Sequence, residues 1–457
     1  MIYKMRMKIY RVLIALAGLV LVMSCEPSTF IGLEIIVKPG NPSDRPENDR
    51  DYNDEKRNVM LLYSAGFNSL SEYLTEDMDD LLKGNLPSMG RMNDILLIYS
   101  HLTSKKGAYG VDTSPVLMRV YKDEKSMVVK DTLVVYPAGV RSATAAQLNE
   151  VLTYVKDHYE ANSYGMIFSS HATGYLPSGY YTNHAGYVYT PSASMRNSGR
   201  SGAFGPAVGV PYVEPEYDPS LPMVKSVGQD QVGVSGNYLS YEIQIEEFAR
   251  ALPMYMDYIL FDACLMGGVE VAYELSGRCG LVGFSQTEVL AEGFDYKSLT
   301  SHLLNGGTPD PKSVCDDYFQ QYAAQTGIYQ SATISMVDCS KMEPLAAVCA
   351  DLFEKYRNSI NALSPSKVQR YYRSNYHWFY DLVDIVRKAG ATAEDLQALQ
   401  QAVDDCMVYR NATANFMGSF SITDYSGFSM YLPCNGSNEL DKYYRTLKWN
   451  IATDLVK

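Results

Sequence analysis

The run Tyr258-Ile259-Leu260-Phe261-Asp262-Ala263-Cys264-Leu265-Met266-Gly267-Gly268-Val269-Glu270 changes character twice over a short distance. Its first four residues are continuously apolar, as in a strand buried on both faces. A glycine pair then breaks the run, and helical spacing predicts a helix near Gly267–Leu275. The unit is strand, turn, helix, with a thiol at the turn. Similar runs flank it: Val59–Tyr63, Ile95–Tyr99, Val116–Tyr121, Met166–Phe168, Leu281–Phe284 and Ala332–Val337. Amphipathic segments lie between most of them, near Ala145–Val155, Tyr241–Leu252, 295–305 and 311–324. Buried strands alternating with helices predict an α/β fold, a three-layer α/β/α sandwich on a mostly parallel sheet. Sites in such sheets lie beyond the carboxyl ends of the strands.

Two strand ends carry reactive side chains. Cys264 follows one, and His171 follows the other in Gly165-Met166-Ile167-Phe168-Ser169-Ser170-His171-Ala172-Thr173-Gly174. A thiol near a helix N-terminus tends toward the thiolate, and a neighbouring imidazole can protonate a leaving amine. The backbone N–H groups of Ala172 and Cys264 are candidate donors to an oxyanion. Among the other histidines, His101 also follows an apolar run and is the runner-up; His158, His302 and His377 fall on helical patterns, and His184 lies in a loop. Side chains alternate along a strand, so Asp262 and Cys264 share a side. Asp262 is thereby a candidate pocket floor for a basic side chain, with Glu288 and Glu292 as candidate second wall acids.

The strand-His-x-x-Gly segment and the Asp-Ala-Cys-Leu-Met-Gly-Gly-x-Glu segment resemble the two signature blocks of the clostripain family, of the caspase-like clan of cysteine peptidases. Tyr380-Asp381-Leu382-Val383-Asp384-Ile385-Val386-Arg387 and Ser426-Gly427-Phe428-Ser429-Met430-Tyr431-Leu432-Pro433 extend the similarity over roughly 58–435. The resemblance implies a caspase-like fold, Cys264 as nucleophile, His171 as general acid/base, Asp262 in the primary pocket and cleavage after Arg or Lys. It also implies activation by a cut between histidine and cysteine, where Arg196, Arg200 and Lys225 are the candidate sites. Ala172 stands where the family usually has glycine, which matters if that turn demands a positive φ. Some relatives use calcium; no D-x-D-x-D-G loop occurs here, and no cofactor or metal is expected.

Outside these blocks, Lys4, Arg6, Lys8 and Arg11 precede an apolar run, Val12–Met23, that is too short to span a bilayer. Residues 1–24 read as a signal peptide, and Val22-Met23-Ser24-Cys25 resembles a bacterial lipobox with Cys25 as the acylated residue. The expected location is the bacterial cell envelope, with the membrane reached through that lipid. Residues 25–56 read as a flexible tether, polar and Pro-rich from Pro39, with 29–37 more apolar. Residues 57–360 then form the main domain, interrupted by a Gly/Ser/Pro/Tyr-rich insertion at 176–240. Residues 361–457 form an appended helical region, with helices near 366–388 and 393–408 and a final strand at Gly427–Pro433. A formal charge of −13 without a basic cluster beyond the leader argues against nucleic acid as a partner. The eight cysteines show no C-x-x-C spacing, which argues against a structural zinc. Two other readings accommodate the same residues: a surface-binding lipoprotein that keeps the fold without turnover, and a cysteine amidase acting on small substrates.

Overall fold

The computed structural model describes the backbone of 35–38 and residues 57–457, apart from 90–92, 191–203, 205–207, 213–217, 219, 226–229, 235–236 and 375. Its centre is a ten-stranded sheet. In chain order the strands are β1 (Ile35–Lys38), β2 (Asn58–Gly66), β3 (Ile95–Leu102), β4 (Val116–Lys122), β5 (Val128–Val135), β6 (Ser163–Ser169), β7 (Met256–Asp262), β8 (Cys279–Phe284), β9 (Thr333–Asp338) and β10 (Met407–Ala412). In space they run β1-β5-β4-β3-β2-β6-β7-β8-β9-β10. The five middle strands, β3 to β8, are mutually parallel. Antiparallel pairs β4–β5 and β9–β10 extend the two sides.

The middle strands are parallel because helices cover both their faces, so their side chains are apolar on both sides. β2 is buried at every residue. Helices Ser71–Leu81, Tyr296–Leu303 and Pro311–Ala323 pack in succession as one layer. Ala145–His158, Ile245–Ala251, Val269–Leu275, Lys448–Thr453, Met342–Asn361 and Ala393–Cys406 form a second connected set. Helix starts follow local chemistry: the side chains of Thr144, Asp295 and Asp310 each accept from an N–H of the turn that follows.

The region from 361 onward carries four α-helices and also supplies β10, which pairs with β9 at the sheet edge. Its first expected helix, 366–388, is shortened to Leu382–Lys388, because Asp381 accepts from Asp384 N–H and starts the helix there. The preceding residues instead place Tyr371, Trp378 and Phe379 in the core. Ser429 N–H donates to Gly267 O at 2.8 Å, and Tyr431 N–H and Tyr444 OH both donate to Glu270. Thus the closing strand is tied to the turn after Cys264. Within the tether, Ile35–Lys38 pairs in parallel with Val128–Asp131. The 176–240 insertion contains a three-stranded sheet of Val210–Tyr212, Asp230–Val234 and Asn237–Tyr241. Among the described residues no helix is long and apolar enough to cross a membrane, and seven cysteines are unbridged. Cys25 lies outside the described residues.

Candidate active site

Strands β6 and β7 are neighbours, with Ser169 opposite Asp262. His171 and Cys264 each lie two residues beyond that pair, so the sheet brings imidazole and thiol to one rim. Phe67-Asn68-Ser69, following β2 on the other side of β6, reaches the same rim, and Ser69 Oγ lies 3.0 Å from His171 Nε2. Among the described residues His171 Nδ1 is buried with no side-chain or backbone partner within hydrogen-bond geometry. Burial, with the nearby Lys225 ammonium adding to it, lowers the imidazole to about 3 against an opposing pull from the Lys225 carbonyl. The ring is therefore held neutral, the form that can take a proton.

The helix after Cys264 begins only at Val269. Leu265, between them, has φ +62, a left-handed conformation uncommon outside glycine. A donor facing the sulfur is the Val289 N–H, 3.0 Å from Sγ, supplied by the loop after β8. Ala172 is not among the residues with positive φ, so the turn after histidine accepts alanine and keeps its N–H. The glycine requirement falls at Gly174 instead: its φ is +63, and a Cβ there would sit 2.5 Å from Leu265 O.

A segment of the 176–240 insertion lies against this rim. Met223-Val224-Lys225 runs antiparallel to Val289-Leu290-Ala291, with Lys225 N–H donating to Val289 O at 2.8 Å and Ala291 N–H to Met223 O at 2.9 Å. The Lys225 carbonyl accepts from Ala172 N–H at 3.3 Å and from Cys264 N–H at 3.4 Å, the two backbone donors named from the sequence. The Lys225 side chain is fully buried. Its ammonium donates to Asp262, to Asp77 at 3.0 Å and to Ser169 Oγ at 3.3 Å. Tyr296 OH donates to Asp262 at 2.6 Å, and its ring centroid lies 5.9 Å from the ammonium. Burial alone would lower the Lys225 ammonium; Asp262 and then Asp77 outweigh that and hold it above its usual range. Burial pushes the Asp77 carboxyl well up, against the pull of Lys225.

The other candidates are placed as follows. Glu288 is buried but pairs with Arg373, Oε2 to Nε 3.1 Å, and Glu292 is exposed; neither is among the acceptors of the Lys225 ammonium. The second acid at the Lys225 ammonium, beside Asp262, is Asp77, which sequence reasoning missed. It lies on the buried side of Ser71–Leu81, a helix otherwise rich in acids. Ser69 was missed as well, since a lone serine after a strand carries no signal. His101 is the penultimate residue of β3, with β2 and β6 between it and β7, where it stacks on Phe67 and meets Ser142 Oγ at 3.0 Å. Arg196 and Arg200 lie outside the described residues. No group of three or more His, Cys, Asp or Glu among the described residues is placed to hold a metal ion.

The model of the clostripain family, peptidase family C11, matches residues 62–189 and 215–454. The chain belongs to the clostripain family. It is a cysteine peptidase with the caspase-like α/β/α fold of that family. Among solved structures, an inactive zymogen C11 protease from Parabacteroides distasonis is 24% identical with a TM-score of 0.65, covering 87% of this chain and 97% of its own. A secreted C11 cysteine protease from Bacteroides thetaiotaomicron, solved with an irreversible peptide inhibitor, is 22% identical with a TM-score of 0.62, covering 88% and 99%. A structure of a secreted C11 protease of the same organism, described as iotapain, is 18% identical with a TM-score of 0.64, covering 87% and 99%. No curated protein sequence matches the chain.

Proposed function

We propose that this clostripain-family member is an endopeptidase that cuts after basic residues with a Cys264–His171 dyad, and that its first substrate is its own Lys225–Ser226 bond. The observation that carries the reading is the seating of Lys225, with its carbonyl against two backbone donors and its ammonium against two carboxylates. This is how a substrate residue before a scissile bond would be held. His171 takes the thiol proton, and the sulfur attacks the lysine carbonyl carbon. The Ala172 and Cys264 N–H groups stabilise the resulting oxyanion. His171 returns the proton to the leaving amine as the C–N bond breaks, and water then hydrolyses the thioester. Until the loop is cut, Met223–Lys225 occupies the cleft and blocks other peptides. The relative described as an inactive zymogen and the one bound to a peptide inhibitor are in keeping with such a cycle. Export and anchoring through an acylated Cys25 complete the proposal, and a mass spectrum of the envelope-extracted protein tests that part.

Purified protein is incubated with reporter peptides carrying Lys or Arg before the cleaved bond, beside Cys264→Ala and His171→Ala. Cleavage by the unmutated chain alone is expected. Reporters left intact by every form would favour a surface-binding role for the fold.

A further inference from the structure

The geometry points to Asp77 as a specificity-determining residue that makes this site selective for lysine over arginine. The inference rests on the proposed peptidase reading and goes beyond a general preference for basic residues. A lysine ammonium has three N–H donors and no other polar atom. In the pocket it meets three acceptors: Asp262, Asp77 and Ser169 Oγ. Each acceptor comes from a separate element, respectively the end of β7, the helix Ser71–Leu81 and the end of β6. The set closes around a compact charge.

Arginine places its charge on a wider, planar group with five donors in a fixed fork. The pocket end leaves little room for it. Gly293, at φ +63, lies so close that a Cβ there would be 2.5 Å from both Asp262 carboxylate oxygens and 2.7 Å from the Lys225 nitrogen. The Tyr296 ring flanks the ammonium and is itself fixed to Asp262 by its hydroxyl. Asp77, Ser169, Asp262 and Tyr296 are all buried. A guanidinium entering this space would push against Asp77 or the Gly293 backbone and would leave donors without acceptors, which is costly in a buried site. Asp77 is the member that closes the side opposite the sheet.

The test is a pair of measurements on the full mature chain. The first compares self-cleavage of the unmutated chain, Lys225→Arg, Asp77→Asn and the double variant, followed by gel and mass. Arginine at 225 should slow the cut at least tenfold, and the slowing should shrink to about threefold or less when Asp77 is Asn or, in a second variant, Ala. The second measures kcat/KM on reporters that differ only in Lys or Arg before the bond, with a Lys:Arg ratio above ten expected for the unmutated residue 77 and a ratio near one for the variants. Equal rates for Lys and Arg, or a ratio unmoved by both Asp77 substitutions while circular dichroism reports intact folding, would overturn the assignment. If the unmutated chain cuts neither itself nor either reporter, the peptidase reading fails first and this inference falls with it.

Discussion

Replacing Lys225 by Met in a Cys264→Ala background removes one charge from the cleft and leaves the aliphatic stem, with the chain kept whole. Asp77 and Asp262 then face each other in a buried space without their ammonium. Breaking a buried ion pair by removing one partner costs about 3–5 kcal/mol. Expressed as an equilibrium for lifting 223–225 out of the cleft, that is about two to three and a half powers of ten. Hydrogen exchange reads this directly through the amides whose acceptors lie on the segment: Ala172 and Cys264, which donate to the 225 carbonyl, and Ala291, which donates to Met223. Their protection factors should fall at least about a hundredfold at neutral pH. The pH dependence has a definite sign. Asp77 is raised in the folded state, so its contribution to holding the folded form is present below the unfolded carboxyl value, about 3.9, and is lost as pH rises through the raised folded value. The loss of protection is therefore largest at neutral pH and shrinks on acidification, as Asp77 takes up a proton. Unchanged protection at 172, 264 and 291 would refute the reasoning, since the segment would then be held by something other than its ammonium.

Two further outcomes are expected. Ser69→Ala removes the hydroxyl 3.0 Å from His171 Nε2, and the loss of one hydrogen bond, about 0.5–1.5 kcal/mol, should lower kcat two- to tenfold with KM little changed and shift the pH–rate profile; a change confined to KM would contradict a positioning role for this serine. Met223 packs against Leu70, Leu74 and Ala291, so reporters ending Met-Val-Lys should be cut at least about tenfold better than Asp-Val-Lys, as burying a carboxylate in that apolar spot is unfavourable; equal kcat/KM for the two would contradict it.

The middle of the fold was legible because its strands are buried on both faces and so are written as uninterrupted apolar runs: Met60–Tyr63, Met166–Phe168 and Tyr258–Phe261 could hardly be anything else. The same runs placed His171 and Cys264, since each is the first reactive side chain past a strand end. What could not be read belongs to distant contacts. Asp77 shares its helix with Glu72, Glu76, Asp79 and Asp80, and nothing in that order of acids says which one turns inward. Lys225 was one of three candidate cut sites, and its enclosure between Asp77 and Asp262 is a set of distant contacts that no pattern in the loop sequence announces. Glu288 attracted attention by nearness to β8 in sequence, yet its carboxylate turns to Arg373, a residue from the C-terminal region. β10 escaped notice because Met407–Ala412 is a half-buried edge strand with an arginine and an asparagine in it, and so lacks the continuous apolar run that marks the middle strands.

The most direct measurement is the N-terminal sequence and intact mass of the two chains formed when purified protein is left to process itself, beside Cys264→Ala. The account predicts a single cut after Lys225, giving a second chain that begins Ser226-Val227-Gly228, and no cut in the variant. A cut elsewhere in 176–240 that leaves Lys225–Ser226 joined, or the same cut in Cys264→Ala, would contradict it.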